Sequence, residues 1–522
     1  MHFRIFSVQN VEIKLLTKKE TMKKFKLFSG ICLVLLGFCT SETMADNHSL
    51  EKDGNKKKPE MYMHFIMDGQ SLSTGHQSYP TLSTENVPGN YMISNQVWIN
   101  YGNLHRKQLN PLVGNIAIPF RQGKDVMSRS AGTFAESPLV GAVNYVRLKK
   151  PKMDKIIATS VGFSGASVEE LSKESETRTH YKDFETAVSL ASQITEIQGD
   201  FVQCPVIFWM QGEFNYGTAN PEKGLKKNEP NTLDRQEYKK LIINLKNNMQ
   251  NEVVEKYDQK QKPVWITYQT GAQYMRDTLA ISMAQLEASN EYKDIICAGP
   301  IYPMTDRGGH LDANGYRWFG EMLGKVYYQT QIKGKNFKPL QPKEILLDRA
   351  TGKIQIRFHV PVPPLALDVN TLPKIRDYGF EVYQDKARSG NRINITKVEL
   401  NGKDKVVLTC DKPLEGDVLI MYAGSGSCIE NQPQGLNHLQ GHGNLRDSDS
   451  SKGFYKYIDL DGKNADGAYI YPREKFESRL RPDYEPKDDS GNIIYNQNYP
   501  LYNFCIGFYY KLTSGKNKLR IL

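Results

Sequence analysis

Between residues 61 and about 330, short apolar runs alternate with helical patterns, and this alternation constrains the fold more than any other feature of the sequence. The apolar runs lie at residues 62–67, 156–161, 205–210, 264–268 and 295–298. Helical patterns separate them at residues 184–197, 238–249 and 279–286. Short apolar runs bounded by turn residues are typical of buried parallel strands, and strands that alternate with helices form βαβ units. Residues 61–332 are therefore predicted to form an α/β domain, a three-layer αβα sandwich around a parallel sheet.

The pattern changes after about residue 335. Lys353 to Val360 alternates apolar and polar residues with a period of two, which is typical of a strand with one buried face. The same pattern continues at residues 380–383, 393–400, 405–409 and 417–422, and Asn401-Gly402 is a turn signal between two of these runs. Residues 335–522 are therefore predicted to form a second, all-β domain with a sandwich-like fold.

Residues 1–45 combine an over-extended start with an export signal. Basic residues at 22–26 precede an apolar run at 27–38, and small residues near position 45 offer a cleavage site. The apolar run is shorter than the roughly 20 residues that span a membrane. We therefore predict an exported protein, periplasmic or extracellular, whose mature chain begins with a polar linker at 46–60. Lipid anchoring at Cys39 is disfavoured, because a bulky phenylalanine precedes that cysteine.

Charge and cysteine content exclude several functional classes. The formal net charge is +10, but the positive residues are dispersed, and Lys56 to Lys58, the basic run, lies in the polar linker. Such a run is a solvated tether rather than a nucleic-acid surface. The five cysteines after residue 45 are scattered and odd in number, so they form neither a disulfide framework nor a zinc-binding pattern. We expect no nucleic-acid partner and no metal site.

The segment Asp68-Gly69-Gln70-Ser71 directly follows the first predicted strand. A serine at such a turn can project its hydroxyl over the carboxyl end of the sheet, where ligands bind in open α/β folds. A hydroxyl alone is a weak nucleophile and requires a base within hydrogen-bond reach. Ser71 is therefore a candidate nucleophile, with Gln70 as a supporting residue. The alternative is a serine that only caps the next helix.

The segment Trp209-Met210-Gln211-Gly212-Glu213-Phe214-Asn215 also follows a predicted strand. It places the side-chain amides of Gln211 and Asn215 and the carboxylate of Glu213 around one glycine. Amides and backbone N–H groups can hold a developing oxyanion, and one such donor contributes about 3 kcal/mol. The segment from Gly162 to Ser167, in the turn after the run at 156–161, offers a backbone N–H for the same purpose. The alternatives are a polar turn after residue 210 that only stabilises its loop, and a plain strand-to-helix turn that Ser167 caps.

The segment from Asp306 to Gly315 opens an amphipathic helix. A histidine just before a late helix can reach back to a serine near the start of the domain, and a nearby aspartate can orient its imidazole. His310 is therefore the candidate base and Asp306 the candidate acid, whereas Asp312 stands at the position of a helix cap. The alternative is a histidine that forms hydrogen bonds only within its own turn.

The order of these blocks, each at a strand end, resembles that of the SGNH (GDSL-like) hydrolases, in particular the branch of sialate O-acetylesterases and plant carbohydrate acetylesterases. The resemblance covers roughly residues 61–330, and the Trp-Met-Gln-Gly-Glu block is its most specific match. It implies an SGNH/flavodoxin-like fold in which Ser71 is the nucleophile and the N–H groups of Ser71 and Gly165 hold the oxyanion. It also implies the Gln211 side chain as the third donor, with Asn215 in reserve, and no metal or organic cofactor.

The sequence departs from the family pattern at the acid. In the family the acid lies three residues before the histidine, whereas here Arg307 holds that position and Asp306 lies four residues before His310. Either the additional glycine in this turn forms a bulge that restores the geometry, or another group orients the imidazole. A backbone carbonyl can partly replace a missing aspartate, so the sequence leaves both possibilities open.

The resemblance implies an exported serine esterase that removes O-acetyl or other short acyl groups from carbohydrate. Two alternatives stay open: a short-chain esterase that acts on non-sugar esters, and a non-catalytic glycan-binding protein on a decayed hydrolase scaffold. The shifted position of Asp306 favours the binding protein. The presence of Ser71, His310 and Gln211 together favours an enzyme.

Overall fold

The described part of the computed structural model covers residues 58–99, 107–115, 118–119, 133–176, 180–217, 231–271, 278–307, 309–387, 389–424, 441–472, 480 and 484–522. The predicted export signal and nearly all of the predicted linker lie outside these residues. Residues 59–522 belong to one compact unit. The domain boundary expected near residue 335 therefore stays a prediction.

The α/β part supplies nine strands and eight helices among the described residues. The strands are β1 (Met61–Gly69), β2 (Asn90–Ile93), β3 (Leu109–Pro111), β4 (Ile118–Pro119), β5 (Thr133–Phe134), β6 (Lys155–Ser160), β7 (Phe201–Met210), β8 (Val264–Gln269) and β9 (Ile295–Pro300). The helices are α1 (Ser71–Thr74), α2 (Pro138–Lys149), α3 (Val168–Leu171), α4 (Tyr181–Ile197), α5 (Glu213–Gly217), α6 (Arg235–Tyr257), α7 (Ala280–Glu291) and α8 (Ala313–Tyr327), followed by a π-helical turn at Tyr328–Ile332. The five predicted apolar runs coincide with β1, β6, β7, β8 and β9. None of the described helices is both long and apolar enough to cross a membrane.

Seven strands form one sheet in the order β3-β2-β6-β1-β7-β8-β9. The β2–β3 pairing is antiparallel, and the other described pairings in this sheet are parallel. Numbered along the chain, the five long parallel strands have the order 2-1-3-4-5, so the chain leaves β1 first toward one edge and then toward the other. The topological switch point lies between β1 and β7, and ligands bind at the carboxyl ends of strands at such a point.

Both faces of this sheet are covered. Phe65 and Met67 of β1 belong to an apolar cluster with residues of α2 and α8, whereas Ile66 belongs to a second cluster with residues of α4, α6 and α7. Successive side chains of a strand point to opposite faces, so strands buried on both faces read as continuous apolar runs. The predicted α/β architecture, a mostly parallel sheet with helices on both faces, is confirmed.

Helix α2 was not among the helical patterns of the sequence, and its surroundings give the reason. Ten of its 12 residues are buried, so it lacks the polar face that makes a helix recognisable. It packs closely against α8, where a Cβ at Gly320 would overlap the carbonyl oxygen of Pro138 and lie 3.0 Å from the Cα of Gly141. The two helices are therefore held at a separation that only glycine permits.

The chain after residue 335 is β-rich, as predicted. Its strands are β10 (Gln341–Asp348), β11 (Lys353–His359), β12 (Ala366–Leu367), β13 (Phe380–Gln384), β14 (Arg392–Ile393), β15 (Ile395–Asn401), β16 (Lys405–Cys410), β17 (Val418–Tyr422), β18 (Leu445–Arg446), β19 (Lys452–Lys456), β20 (Asn498–Pro500), β21 (Phe508–Leu512) and β22 (Lys518–Arg520), with 3-10 turns at Arg376–Gly379 and Ser389–Asn391. A five-stranded sheet (β15-β16-β11-β10-β22) and a four-stranded sheet (β14-β13-β17-β21) contribute to one apolar cluster. The two sheets therefore share a core.

A charged face of α8 holds the C-terminal region against the α/β part. Arg317, Glu321 and Lys325 recur every four residues, so they share one helix face, and each is 4% exposed or less. The Glu321 carboxylate accepts the N–H of Phe454 at 2.6 Å. The Lys325 ammonium lies 2.8 Å from the carboxylate of Asp449. Because α8 begins shortly after the candidate base, these buried contacts also support the turn that carries it.

Candidate active site

The predicted nucleophile lies at the carboxyl end of β1. The strand ends at Gly69, Gln70 is the N-cap, and Ser71 is the first residue of α1. The Ser71 hydroxyl lies 2.8 Å from Nε2 of His310, although the two residues are 239 positions apart. The structure therefore brings the predicted nucleophile and the predicted base into hydrogen-bond contact at the switch point of the sheet.

A tight turn before α8 presents His310. The N–H of Arg307 donates to the carbonyl of His310 at 2.8 Å, and Asp306 forms a β-bridge with Leu311. Asp312 caps α8, as predicted, because its carboxylate accepts the N–H of Gly315 at 2.6 Å. These backbone contacts fix the main chain on both sides of the imidazole.

The second nitrogen of the imidazole contacts a residue that the sequence interpretation missed. Nδ1 of His310 lies 2.6 Å from the side-chain carbonyl oxygen Oε1 of Gln77. Asp306 is 2% exposed and lies in the same turn as His310. Its role as the triad acid stays a prediction. The one signal for Gln77 in the sequence was its position six residues after Ser71. That position becomes informative only when the structure shows that the chain folds back toward His310 after α1.

The environment of His310 keeps its imidazole neutral. Burial, reinforced by the neighbouring His76, holds the pKa of His310 well below its ordinary value of 6.5. The two rings meet edge to face with centroids 4.6 Å apart. Burial also lowers the pKa of His76 to about 4, so this neighbour is itself uncharged near neutral pH. A neutral imidazole is the form that can accept a proton from a hydroxyl.

Two backbone N–H groups remain available to an oxyanion. Among the described residues, neither the N–H of Ser71 nor that of Gly165 has a hydrogen-bond acceptor. Gly165 is exposed and adopts a φ of 75°. A Cβ there would lie 3.7 Å from the ring of Phe214, so this turn lies beside α5, which follows β7. The predicted roles of both groups as oxyanion donors stay predictions.

The side chains of Gln211 and Asn215 form hydrogen bonds inside the protein. Nε2 of Gln211 donates to Oδ1 of Asn215 at 2.6 Å and to the carbonyl of Ala166 at 3.3 Å. Nδ2 of Asn215 donates to Glu169 at 3.1 Å and to the carbonyl of Thr232 at 3.2 Å. An amide has two N–H donors, so all four donors of this pair are occupied. Either side chain could donate to an oxyanion only if one of these hydrogen bonds first broke.

Gln70 and Glu213 tie the loops of the site together. Oε1 of Gln70 accepts the N–H of Gly212 at 3.1 Å and the N–H of Phe214 at 2.9 Å. Oε1 of Glu213 accepts the N–H of Gly271 at 2.7 Å, and its other oxygen accepts the hydroxyl of Tyr268. Burial raises the pKa of Glu213. These contacts connect the ends of β1, β7 and β8. The predicted role of Gln70 and Glu213 in substrate binding or support of the site stays a prediction.

Together these groups supply a hydroxyl, a neutral imidazole and two open N–H donors at one edge of the sheet. Within the described ranges, no cluster of three His, Cys, Asp or Glu side chains could hold a metal ion. Such a set suits transfer of an acyl group through a serine.

Comparison with known proteins yields structural likeness only. No family model matches the sequence, and no curated protein matches it. Carbohydrate esterases are among the solved structures similar to the chain. One is a carbohydrate acetylesterase from Xanthomonas citri, with 13% identity over 74% of this chain and 81% of that one and a TM-score of 0.44. A second is NanS, with 11% identity over 53% of this chain and 99% of that one and a TM-score of 0.34. A third is a family two carbohydrate esterase from Clostridium thermocellum in complex with cellohexaose, with 10% identity over 52% of this chain and 66% of that one and a TM-score of 0.28.

Proposed function

We propose that this protein is a serine esterase that removes acetyl or other short acyl groups from carbohydrate. The observation that carries the proposal is the 2.8 Å contact between the Ser71 hydroxyl and Nε2 of His310, a half-buried histidine whose lowered pKa keeps it neutral. A serine that only capped a helix would not require a histidine from a distant turn. The contact therefore favours the catalytic interpretation of Ser71.

The proposed reaction has two acyl-transfer steps. Ser71 Oγ attacks the ester carbonyl carbon while Nε2 of His310 takes the hydroxyl proton, and the carbonyl oxygen becomes an oxyanion held by the N–H groups of Ser71 and Gly165. The tetrahedral intermediate expels the alcohol, which receives the proton from His310, and an acyl-serine is left. Water then attacks the acyl-serine by the same route and releases the carboxylic acid.

The substrate class rests on the motif resemblance. The Gly-Gln-Ser and Trp-Met-Gln-Gly-Glu blocks resemble those of carbohydrate acetylesterases. The proposed export signal agrees with this class, because polysaccharides are encountered outside the cytoplasm. We therefore propose a periplasmic or extracellular enzyme for acetylated glycans.

A serine-directed fluorophosphonate, followed by mass spectrometry, tests the proposed nucleophile. We expect a single covalent adduct on Ser71, because this hydroxyl is paired with a neutral imidazole. Acetate release from acetylated glycans, compared with 4-nitrophenyl acetate, tests the substrate class. Release from 4-nitrophenyl acetate but from no acetylated glycan would favour the short-chain esterase, because the nitrophenolate leaving group makes the simple ester intrinsically more reactive. No adduct and no release would favour the glycan-binding protein.

The pH dependence of kcat/KM tests the state of His310. The base must be neutral to accept a proton, and its pKa is lowered from 6.5 by burial and by His76. Lowering that pKa moves the acid limb of the profile to lower pH, so we expect the limb below pH 6.5 on a neutral ester. Circular dichroism at each pH separates titration from unfolding. An acid limb at or above 6.5 in folded protein would contradict this assignment.

A further inference from the structure

We propose that Gln77 is the positioning residue for His310 and occupies the place of the carboxylate in a serine triad. Its side-chain carbonyl accepts the Nδ1 proton and holds Nε2 toward Ser71. This inference rests on the serine esterase function proposed above, and it names the group that directs the base of that site.

The contacts of the imidazole determine which tautomer is held. Oε1 of Gln77, 2.6 Å from Nδ1, is a carbonyl oxygen and can only accept a hydrogen bond. Nδ1 therefore carries the proton, and Nε2, 2.8 Å from the Ser71 hydroxyl, is left with its lone pair. This is the tautomer that a general base requires, and a carboxylate selects the same one in a serine triad.

The backbone between Ser71 and Gln77 brings both residues to the same imidazole. Gly75 ends α1 with a φ of 76°, and its N–H donates to the carbonyl of Ser71. The N–H of His76 donates to the same carbonyl at 3.1 Å. Gln77 then adopts a φ of 62°, a left-handed conformation that costs free energy in a residue with a Cβ. Such a conformation persists where the surrounding contacts impose it, and here it directs the amide at Nδ1.

The amide is neutral, and this separates Gln77 from a carboxylate. A carboxylate beside an imidazole favours the protonated ring and raises its pKa. Among the described residues, the ring of His76 faces His310, and Asp306, Arg307 and Asp312 lie within four positions of it on the same turn and the helix start. If one of these carboxylates positioned the imidazole instead, its removal would lower the pKa of His310, and loss of the Gln77 amide would cost little activity.

The decisive experiment compares Gln77→Glu, Gln77→Ala and Asp306→Asn in the chain from residue 46. Gln77→Glu keeps the size of the side chain and adds a negative charge at Nδ1. We expect it to retain activity at pH 8–9 and to move the acid limb of kcat/KM upward by about one pH unit or more. Gln77→Ala leaves Nδ1 without an acceptor and is expected to lower kcat by about 10- to 100-fold. Asp306→Asn is expected to leave the acid limb unmoved.

Gln198→Glu is the matched control, because it adds the same charge at an exposed position at the opposite end of the sheet. We expect it to change neither kcat nor the pH profile. An unmoved acid limb in folded Gln77→Glu would overturn the proposal. A larger loss of kcat in Asp306→Asn than in Gln77→Ala would also overturn the proposal.

A second measurement separates this inference from the proposed function. ¹⁵N NMR of histidine side chains, assigned with His310→Ala, reports the tautomer and the pKa of His310 without any substrate. A proton on Nδ1, and a pKa that rises in Gln77→Glu, would support the role of Gln77 even if the protein hydrolysed no ester tested. A proton on Nε2 would overturn the inference and leave the esterase activity to be judged by its own assay.

Discussion

Replacing Ser71 or His310 with alanine is expected to reduce ester hydrolysis by about 10⁴-fold or more in kcat. The first change removes the atom that would form the acyl-enzyme, and the second removes the base 2.8 Å from it. Members of such a unit act together, so loss of either costs nearly as much as loss of both. The double variant should therefore be only slightly slower than the single ones. Initial rates on 4-nitrophenyl acetate with the chain from residue 46 measure all three.

Two matched variants control for nonspecific damage. Ser514→Ala removes an exposed serine, and His359→Ala removes a histidine in β11 of the C-terminal region. We expect both to keep the activity of the unmodified protein. If the Ser71→Ala variant kept more than about a tenth of the activity while folded, a serine mechanism at this residue would be wrong. If the unmodified protein hydrolysed neither the simple ester nor acetylated glycans, the catalytic proposal would fail.

Replacing Lys325 with alanine is expected to lower the free energy of unfolding by about 3–5 kcal/mol. The Lys325 side chain is 1% exposed, and its partner Asp449, 2.8 Å away, is 8% exposed. The ammonium also donates to the carbonyl of Leu501 and to Oδ1 of Asn503. Removal of the lysine leaves the carboxylate of Asp449 buried without its cation. The free-energy cost of that unpaired buried charge exceeds the net contribution of the ion pair to stability. Urea denaturation measures the change.

The matched control for this prediction is Lys518→Ala. Lys518 pairs with Glu344 at 2.6 Å, but its side chain is 49% exposed, so water replaces the lost interaction. We expect a change of at most about 1 kcal/mol for this surface pair. The double variant Lys325→Met with Asp449→Leu should recover much of the stability, because no charge is then left unpaired. Equal losses of stability in Lys325→Ala and Lys518→Ala would contradict the interpretation of Lys325 and Asp449 as a buried ion pair.

The parts of the site that lie next to strand ends could be predicted from the sequence. Buried parallel strands are apolar on both faces, so β1, β7 and β9 stand out as runs, and in open α/β sheets ligands meet the residues that follow such strands. Ser71 directly follows β1, and His310 lies ten positions after the end of β9. Because β7 and β8 separate these two strands in the sheet, the contact depends on the turn before α8 and not on the sheet order alone. The helix cap at Asp312 could also be predicted, because it depends on residues within four positions.

From the sequence alone, the local chemistry could therefore be predicted: a strand pattern, a serine after the first strand and a histidine before the last helix of the α/β part. Which side chain contacts Nδ1 of the imidazole depends on the tertiary structure. Gln77 reaches His310 across 233 positions, and it does so through a left-handed backbone that no pattern of apolar residues encodes. The tertiary structure also decided that the amides of Gln211 and Asn215 bind each other, because a hydrogen-bond donor has no predictable partner until folding brings acceptors within about 3 Å.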